Sequence, residues 1–143
     1  MKSLFTMILI CIYSDAVMIR DNTVSDEEFV YDTTTNLIWQ DDNDARERTK
    51  TWIDSVNYCE ALDKSGYTDW RLPNINELNT LVDDTRSDPA ISSSIVQYIS
   101  STYWSSTTSS KDKDYAWQID FTTGKEDYTP KTSLLNLRCV KTR

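Results

Sequence analysis

The stretch DWRLPNINEL, residues 69–78, predicts a tight turn into a helix. Pro73 disfavours helical backbone in the residue before it, so the helix has to begin after the proline. Asn74 and Glu77 have the three-residue spacing of a capping box, in which each side chain accepts a hydrogen bond from the other residue's backbone N–H. We interpret the stretch as a structural clasp made of these side chains: Trp70, Arg71, Leu72, Pro73 and Glu77.

Each side chain of this clasp has an expected role. Trp70 and Leu72 are expected to pack under the helix that follows, while Glu77 caps that helix or pairs with Arg71. The alternative is that Arg71 and Glu77 line a ligand pocket, although paired charges near a helix start are more often structural. An apolar stripe is expected to continue the helix: Ile75, Leu78, Leu81 and Val82.

Upstream of the clasp, apolar spacings of four and three residues predict another helix. Three side chains fall on one face of it: Trp52, Val56 and Cys59. The Thr51 hydroxyl is positioned to cap this helix by accepting from the N–H of Asp54. The helix is expected to end near Asp63, with Cys59 pointing inward.

Strand patterns lie on both sides of the helices. Residues 29–32 and 37–40 flank the turn-rich DTTTN and predict a hairpin. Residues 115–122 alternate with period two, which predicts a half-buried strand. Residues 135–140 predict a last strand with Leu135, Leu137 and Cys139 on its inward face. The expected class is therefore α+β, with two helices, an antiparallel sheet and long irregular loops.

The acidic segment QDDNDARE, residues 40–47, resembles a calcium loop only in part. Asp42 and Asp44 have the spacing of its first two ligands, but Arg46 stands where the next oxygen ligand belongs and no glycine follows. A solvated loop is the expected structure.

Composition limits the classes of function. The chain has 143 residues, the length of one domain, and 38% of them are hydrophobic. Its net charge of −8 argues against nucleic acid as a partner and places polyanion binding in doubt. Histidine is absent, which removes the commonest general base and metal ligand. We expect no catalytic residues and no enzyme activity.

The first residues predict export. Lys2 precedes an apolar run over residues 4–13, and Ala16 is a small residue at a suitable cleavage point, so residues 1–16 resemble a signal peptide. The run is about half of the roughly 20 residues that span a bilayer, so no stable membrane insertion is expected. Residues 17–28 would be a short tail and residues 29–143 the domain, in the periplasm or outside the cell.

Export bears on the cysteines. Removal of residues 1–16 takes away Cys11 and leaves Cys59 and Cys139 in an oxidising compartment, where a pair is expected to form a disulfide. The alternative is two separate buried thiols.

Several segments together resemble the Lcl C-terminal domain family, named for the C-terminal domain of a bacterial collagen-like adhesin. In chain order they are LIWQ (37–40), TWIDSVNYCEAL (51–62), GYTDWRLPNINEL (66–78), YWSST (103–107), YAWQIDFTTG (115–124) and LRCVKT (137–142). The resemblance implies a C-type-lectin-like architecture, with a disulfide from a helix to the last strand. RLPNINEL is also similar to a segment of the formylglycine-generating enzyme family, whose oxidase activity is tied to reactive cysteines.

The resemblance implies a secreted binding module that recognises a glycan or protein at a cell surface through its loops. An enzyme acting through carboxylates alone and a periplasmic structural or inhibitor protein are the alternatives. The family's adhesin is associated with sulfated polysaccharides, but the charge of −8 departs from that pattern.

In such a fold the ligand surface is expected on the loops, here Asp84 to Asp114. Trp104 is expected in the core, with its neighbour Tyr103 exposed as a stacking platform. The candidate ligand-binding residues are Tyr103, Ser105, Ser106, Thr107 and Asp112. No metal or other cofactor is expected. The alternative is a weak calcium site at Asp112 and Asp114, although two carboxylates fall short of the roughly six to eight oxygens that calcium takes.

Overall fold

A computed structural model describes residues 28–143 and, for the backbone alone, the short segment Met18–Ile19. The predicted signal peptide, residues 1–16, lies outside the described residues, as does most of the predicted tail. No helix within 28–143 is long and apolar enough to cross a membrane.

The described residues form an α+β fold, which confirms the predicted class. In chain order the elements are β1 (Met18–Ile19), β2 (Phe29–Asp32), β3 (Leu37–Gln40), α1 (Asn43–Glu47), β4 (Thr49–Lys50), α2 (Trp52–Glu60), α3 (Ile75–Asn79), β5 (Thr102–Thr108), β6 (Tyr115–Asp120), β7 (Lys125–Pro130), β8 (Leu135–Asn136) and β9 (Val140–Thr142).

The strands form two sheets where the sequence analysis expected one. The first has the order β1-β2-β3-β9 and the second β4-β8-β5-β6-β7. The predicted last strand is divided between them, because β8 pairs with β4 and β5 while β9 pairs with β3. Residues 136–141 cross from one sheet to the other and are all buried, so the predicted in-and-out alternation is wrong there.

The hairpin of β2 and β3 has the predicted bounds, with Phe29 opposite Gln40 and Asp32 opposite Leu37. Its turn is held by Asp32, whose Oδ1 accepts a hydrogen bond from the N–H of Thr34 at 2.9 Å. Asn36 has a φ of 60°, a left-handed conformation that asparagine tolerates better than most residues. The local signals in DTTTN were therefore sufficient to predict this element.

Both predicted helix starts are confirmed. Thr51 caps α2 by accepting from the N–H of Asp54, and Asn74 and Glu77 form the complete capping box of α3. Helix α3 ends at Asn79, so Leu81 and Val82 lie beyond the helix that they were expected to continue.

The acidic segment is not a solvated loop. It contains α1, whose N-cap Asp42 accepts a hydrogen bond from the N–H of Ala45 at 2.8 Å. Asp41 and Asp42 are both buried, and Lys64 forms an ion pair with Asp42. The prediction was wrong because a carboxylate can be buried when N–H groups and a cation surround it.

The core consists of two clusters on opposite faces of the second sheet. The first contains Val30, Leu37, Trp39, Leu78, Leu81, Ile91, Ile95, Tyr103, Ile119, Phe121 and Val140. The second contains Ile38, Cys59, Trp70, Leu72, Trp104, Ala116, Leu137 and Cys139. Because neighbouring strand residues point to opposite faces, Tyr103 enters one cluster and Trp104 the other.

Strand β6 shows the same arrangement, with Ala116 in the second cluster and Ile119 in the first. It is buried on both faces over part of its length and not half-buried as predicted. On the face that carries Ile119, the first half of the strand, at Tyr115 and Trp117, is partly open to solvent.

The predicted disulfide between Cys59 and Cys139 is confirmed. It joins α2 to the segment between β8 and β9, with a Cα–Cα distance of 5.4 Å. Trp70 and Leu72 pack in the cluster around this bond, whereas the α3 residue Leu78 lies in the other cluster. The two clasp side chains therefore contact the disulfide core and not the underside of α3, as had been expected.

Candidate functional site

The clasp residues Arg71 and Glu77 form a bidentate ion pair, with both N–O distances at 2.7 Å. The Glu77 Oε1 also accepts a hydrogen bond from the N–H of Asn74 at 2.9 Å, so Glu77 both caps α3 and pairs with Arg71. The guanidinium of Arg71, assisted by that backbone bond, lowers the pKa of Glu77. Both charged groups are engaged in holding the helix start.

The backbone of the clasp is tied to two strands. Arg71 exchanges two backbone hydrogen bonds of 2.8 Å with Val140 of β9, and the carbonyl of Pro73 accepts from the N–H of Ser106 in β5 at 2.7 Å. The Trp70 indole N–H donates to the carbonyl of Tyr67 at 3.1 Å. The clasp thus connects both sheets to α3.

Tyr103, expected to be exposed, is fully buried with 0% of its surface accessible, so that expectation is wrong. Its ring packs edge-to-face against Phe121 at 5.5 Å, and its hydroxyl accepts a hydrogen bond from the N–H of Ile99. Trp104 lies in the core as predicted. The reason is that β5 runs through the middle of the sheet, with a core cluster on each side.

Of the other predicted ligand residues, three form hydrogen bonds that stabilise the fold and one is exposed at the surface. Ser105 is buried and donates to the carbonyl of Trp117 at 2.7 Å, while the Thr107 hydroxyl accepts from the N–H of Ile75 at 3.0 Å. Ser106 is half-buried and joins the clasp through its backbone. Asp112 is exposed and accepts from the N–H of Asp114 at 2.9 Å, so it forms a local turn.

These serines and threonines occupy a bulge in β5. Trp104 pairs with Gln118 and Thr108 with Ala116, so residues 105–107 lie opposite the single residue Trp117. A bulge of this kind increases the local twist and leaves some residues without a ladder partner. The region 84–114, expected to be irregular, thus contains the strand β5, whose bulge residues Ser106 and Thr107 form hydrogen bonds with Pro73 and Ile75.

One buried ion pair was not predicted from the sequence. Arg138, predicted to face away from the core, lies 3.1 Å from Asp41, and both side chains are buried. Arg138 also donates to the carbonyls of Gln40 and Gln97. Asp41 accepts from the N–H groups of Val96 and Gln97, at 3.2 and 2.9 Å. No local sequence signal marks this contact, since its two residues are 97 positions apart.

The same pair holds an exposed loop in place. Val96, which carries one of the anchored N–H groups, and Ile99, two residues after the other, have 49% and 37% of their surface accessible. Apolar side chains exposed on an anchored loop are available for contact with another molecule.

A second surface consists of three aromatic rings at the open end of β6 and β7, which we name the aromatic strip: Tyr115, Trp117 and Tyr128. The Tyr128 ring centroid lies 6.0 Å from that of Tyr115 and 5.4 Å from that of Trp117, both in edge-to-face geometry. Tyr128 is directly opposite Trp117 across the strand pair. The ammonium group of Lys111 lies 5.9 Å from the Tyr128 ring centroid.

Sequence reasoning missed this strip because the alternation over residues 115–122 places Tyr115 and Trp117 on the same face as the buried Ile119 and does not show where that face opens to solvent. The available signal was Tyr128 itself, a large aromatic residue within the otherwise charged run KEDYTP. Neither core cluster includes the three rings. Among residues 28–143, no group of three or more acidic, cysteine or histidine side chains could hold a metal ion.

Together these features define a disulfide-tied α+β domain with an anchored loop and a surface strip of aromatic rings. The sequence model of the Lcl C-terminal domain family matches residues 28–141. The chain therefore belongs to that family, as its motifs predicted. No curated protein matches the chain.

Proposed function

We propose that the protein is an exported, non-catalytic binding module that recognises a glycan or a protein ligand. The observation that carries this proposal is the aromatic strip. Its three rings pack against one another outside both core clusters, and Tyr128 is 37% exposed. Clustered aromatic rings at a surface are typical of binding sites, because they offer a large apolar area with few rotamers to order.

A non-catalytic role is supported by how the carboxylates and cysteines are used. Glu77 and the buried Asp41 are both engaged by arginines, and the two cysteines of the described domain form the disulfide. The chain contains no histidine. The commonest general base is therefore absent from the sequence, and the two cysteines of the disulfide are not free to act as nucleophiles.

The proposal includes a C-type-lectin-like arrangement and export. Its support is the disulfide from a helix to the C-terminal segment, together with the predicted signal peptide. Cleavage after Ala16 would leave Val17 as the first residue, which mass spectrometry of the protein from its host can measure. A retained Met1 would contradict export.

The charge of the chain favours a neutral or basic ligand. A net charge of −8 raises the free energy of approach for sulfated polymers and nucleic acids. The domain is therefore proposed to act without nucleic acid. We also propose that it needs no cofactor and is not stably inserted into a membrane.

A glycan array, combined with a panel of purified cell-surface proteins, tests the proposed function. The purified protein should give saturable binding to at least one ligand class, with calcium and with a chelator run as separate arms. A structural or inhibitor role, the competing explanation, would give no binding to any glycan or surface protein.

A further inference from the structure

We propose that the aromatic strip binds the apolar face of pyranose rings in a neutral oligosaccharide. This inference rests on the proposed function and adds the site and the ligand class. Sugar rings expose C–H groups on one face and hydroxyls around the edge. They therefore match a surface that combines aromatic rings with hydrogen-bonding groups at the rim.

The strip has the layout that such a ligand needs. Tyr115 and Trp117 are two residues apart on β6 and so lie on one face of the sheet, about 7 Å apart along the strand. The Tyr128 ring packs against both of their rings, inclined by 75° to Tyr115 and by 71° to Trp117. The three rings are therefore linked through Tyr128, and each has part of its surface open to solvent.

Two residues of opposite charge, Lys111 and Glu126, lie on the strands and loop beside the strip. Lys111, an exposed donor, lies over the ring of Tyr128. Glu126 is exposed and two residues from Tyr128 on β7, so it points to the same face and can accept hydrogen bonds. A donor and an acceptor of opposite charge suit hydroxyl groups, which both donate and accept.

Two other ligand classes fit this rim less well. A sulfated polymer would meet the carboxylate of Glu126 in a chain of net charge −8. A proline-rich peptide also uses aromatic surfaces, but its proline residues lack N–H groups and could not donate a hydrogen bond to Glu126. The mixed rim therefore favours a neutral sugar.

Hydrogen bonds to the backbone fix the position of the strip in the protein without a ligand. The carbonyl of Trp117 accepts the Ser105 hydroxyl at 2.7 Å, and the N–H of Tyr115 donates to Asp112 at 3.1 Å. Strand β6 lies between β5 and β7 in the sheet. A surface ordered in this way loses little conformational entropy when it binds.

Isothermal titration calorimetry of the purified protein with cellohexaose and with chitohexaose tests the site. We expect saturable binding of at least one hexasaccharide, and Tyr128→Ala should lower that affinity roughly tenfold or more. Tyr67→Ala is the matched control, because Tyr67 is 38% exposed against 37% for Tyr128. Tyr67 also makes an edge-to-face contact with a tryptophan and lies under a lysine ammonium group.

A second variant separates a loss of binding from a folding defect in Tyr128→Ala. Glu126→Ala alters an exposed side chain, so it should keep the melting temperature and weaken hexasaccharide binding several-fold. The inference is overturned if Tyr128→Ala and Glu126→Ala both bind as tightly as Tyr67→Ala. It is also overturned if dextran sulfate or a decaproline peptide binds and neither hexasaccharide does, although the proposed function would then stand. Absence of binding to these probes and to every glycan and protein of the array would overturn both.

Discussion

The guanidinium of Arg138 lies 3.1 Å from the carboxylate of Asp41, at a point where neither side chain is accessible to solvent. This contact joins the segment between β8 and β9 to the residue that follows β3. Hydrogen bonds from Val96 and Gln97 to the same carboxylate add the exposed loop to the junction. One buried carboxylate thus positions three segments that are distant in sequence.

Arg138→Ala should lower the free energy of unfolding by about 3 to 5 kcal/mol, because it leaves the Asp41 charge buried without its cation. Urea unfolding at neutral pH measures the change. Arg46→Ala alters an exposed arginine of α1 and should stay within about 0.5 kcal/mol of the wild type. A loss below about 1 kcal/mol for Arg138→Ala would contradict a structural role for the pair.

Glu77→Gln should destabilise the domain at neutral pH by about 1 to 2 kcal/mol, because the charge-assisted bond to Arg71 is lost and the cap is weakened. The Arg71 hydrogen bond lowers the folded-state pKa of Glu77 below its ordinary value of 4.5. The contribution of Glu77 to stability is therefore complete above about pH 4.5 and is lost as the pH falls through the lower, folded-state pKa.

The test of this pH dependence is a series of urea midpoints between acidic and neutral pH. The difference between the wild type and Glu77→Gln should shrink at acidic pH. Glu60→Gln, at an exposed position in α2, is the control and should follow the wild type throughout. A constant difference at all pH values would show that the charge of Glu77 contributes nothing.

Removal of the disulfide should be costly, because Cys59 and Cys139 are 80 positions apart. The chain-entropy model gives about 4 to 4.5 kcal/mol for a loop of this size, as an upper value. The double substitution Cys59→Ala and Cys139→Ala should lower the melting temperature strongly. Wild-type protein that is unfolded, reduced and refolded should have a lower melting temperature than the untreated protein. The same treatment should leave the melting temperature of the double variant unchanged. Equal melting temperatures for all samples would contradict the prediction.

Trp70→Ala should cost about 3 to 5 kcal/mol, because the ring is buried beside the disulfide and its removal leaves a cavity. A circular dichroism melt measures the loss, with Tyr67→Ala, at a residue that is 38% exposed, as a neighbouring aromatic control. Unchanged stability would mean that the clasp does not depend on this ring.

Features made by neighbouring residues could be predicted from the sequence. The hairpin of β2 and β3, the cap at Thr51 and the capping box of Asn74 and Glu77 each depend on hydrogen bonds that span only a few positions. The pairing of Cys59 with Cys139 could also be predicted, because the domain offers no other cysteine. The family followed from the order of several such motifs.

Burial, in contrast, was decided by the tertiary structure. The alternation along β5 predicts that Tyr103 is exposed. A core cluster lies on each face of β5, however, and the first cluster buries Tyr103. Arg138 is buried because Asp41, 97 positions away, supplies the opposite charge. The aromatic strip likewise forms only when β7 brings Tyr128 beside Trp117. A strand's own sequence specifies which residues share a face, but whether that face meets solvent depends on the elements packed against it.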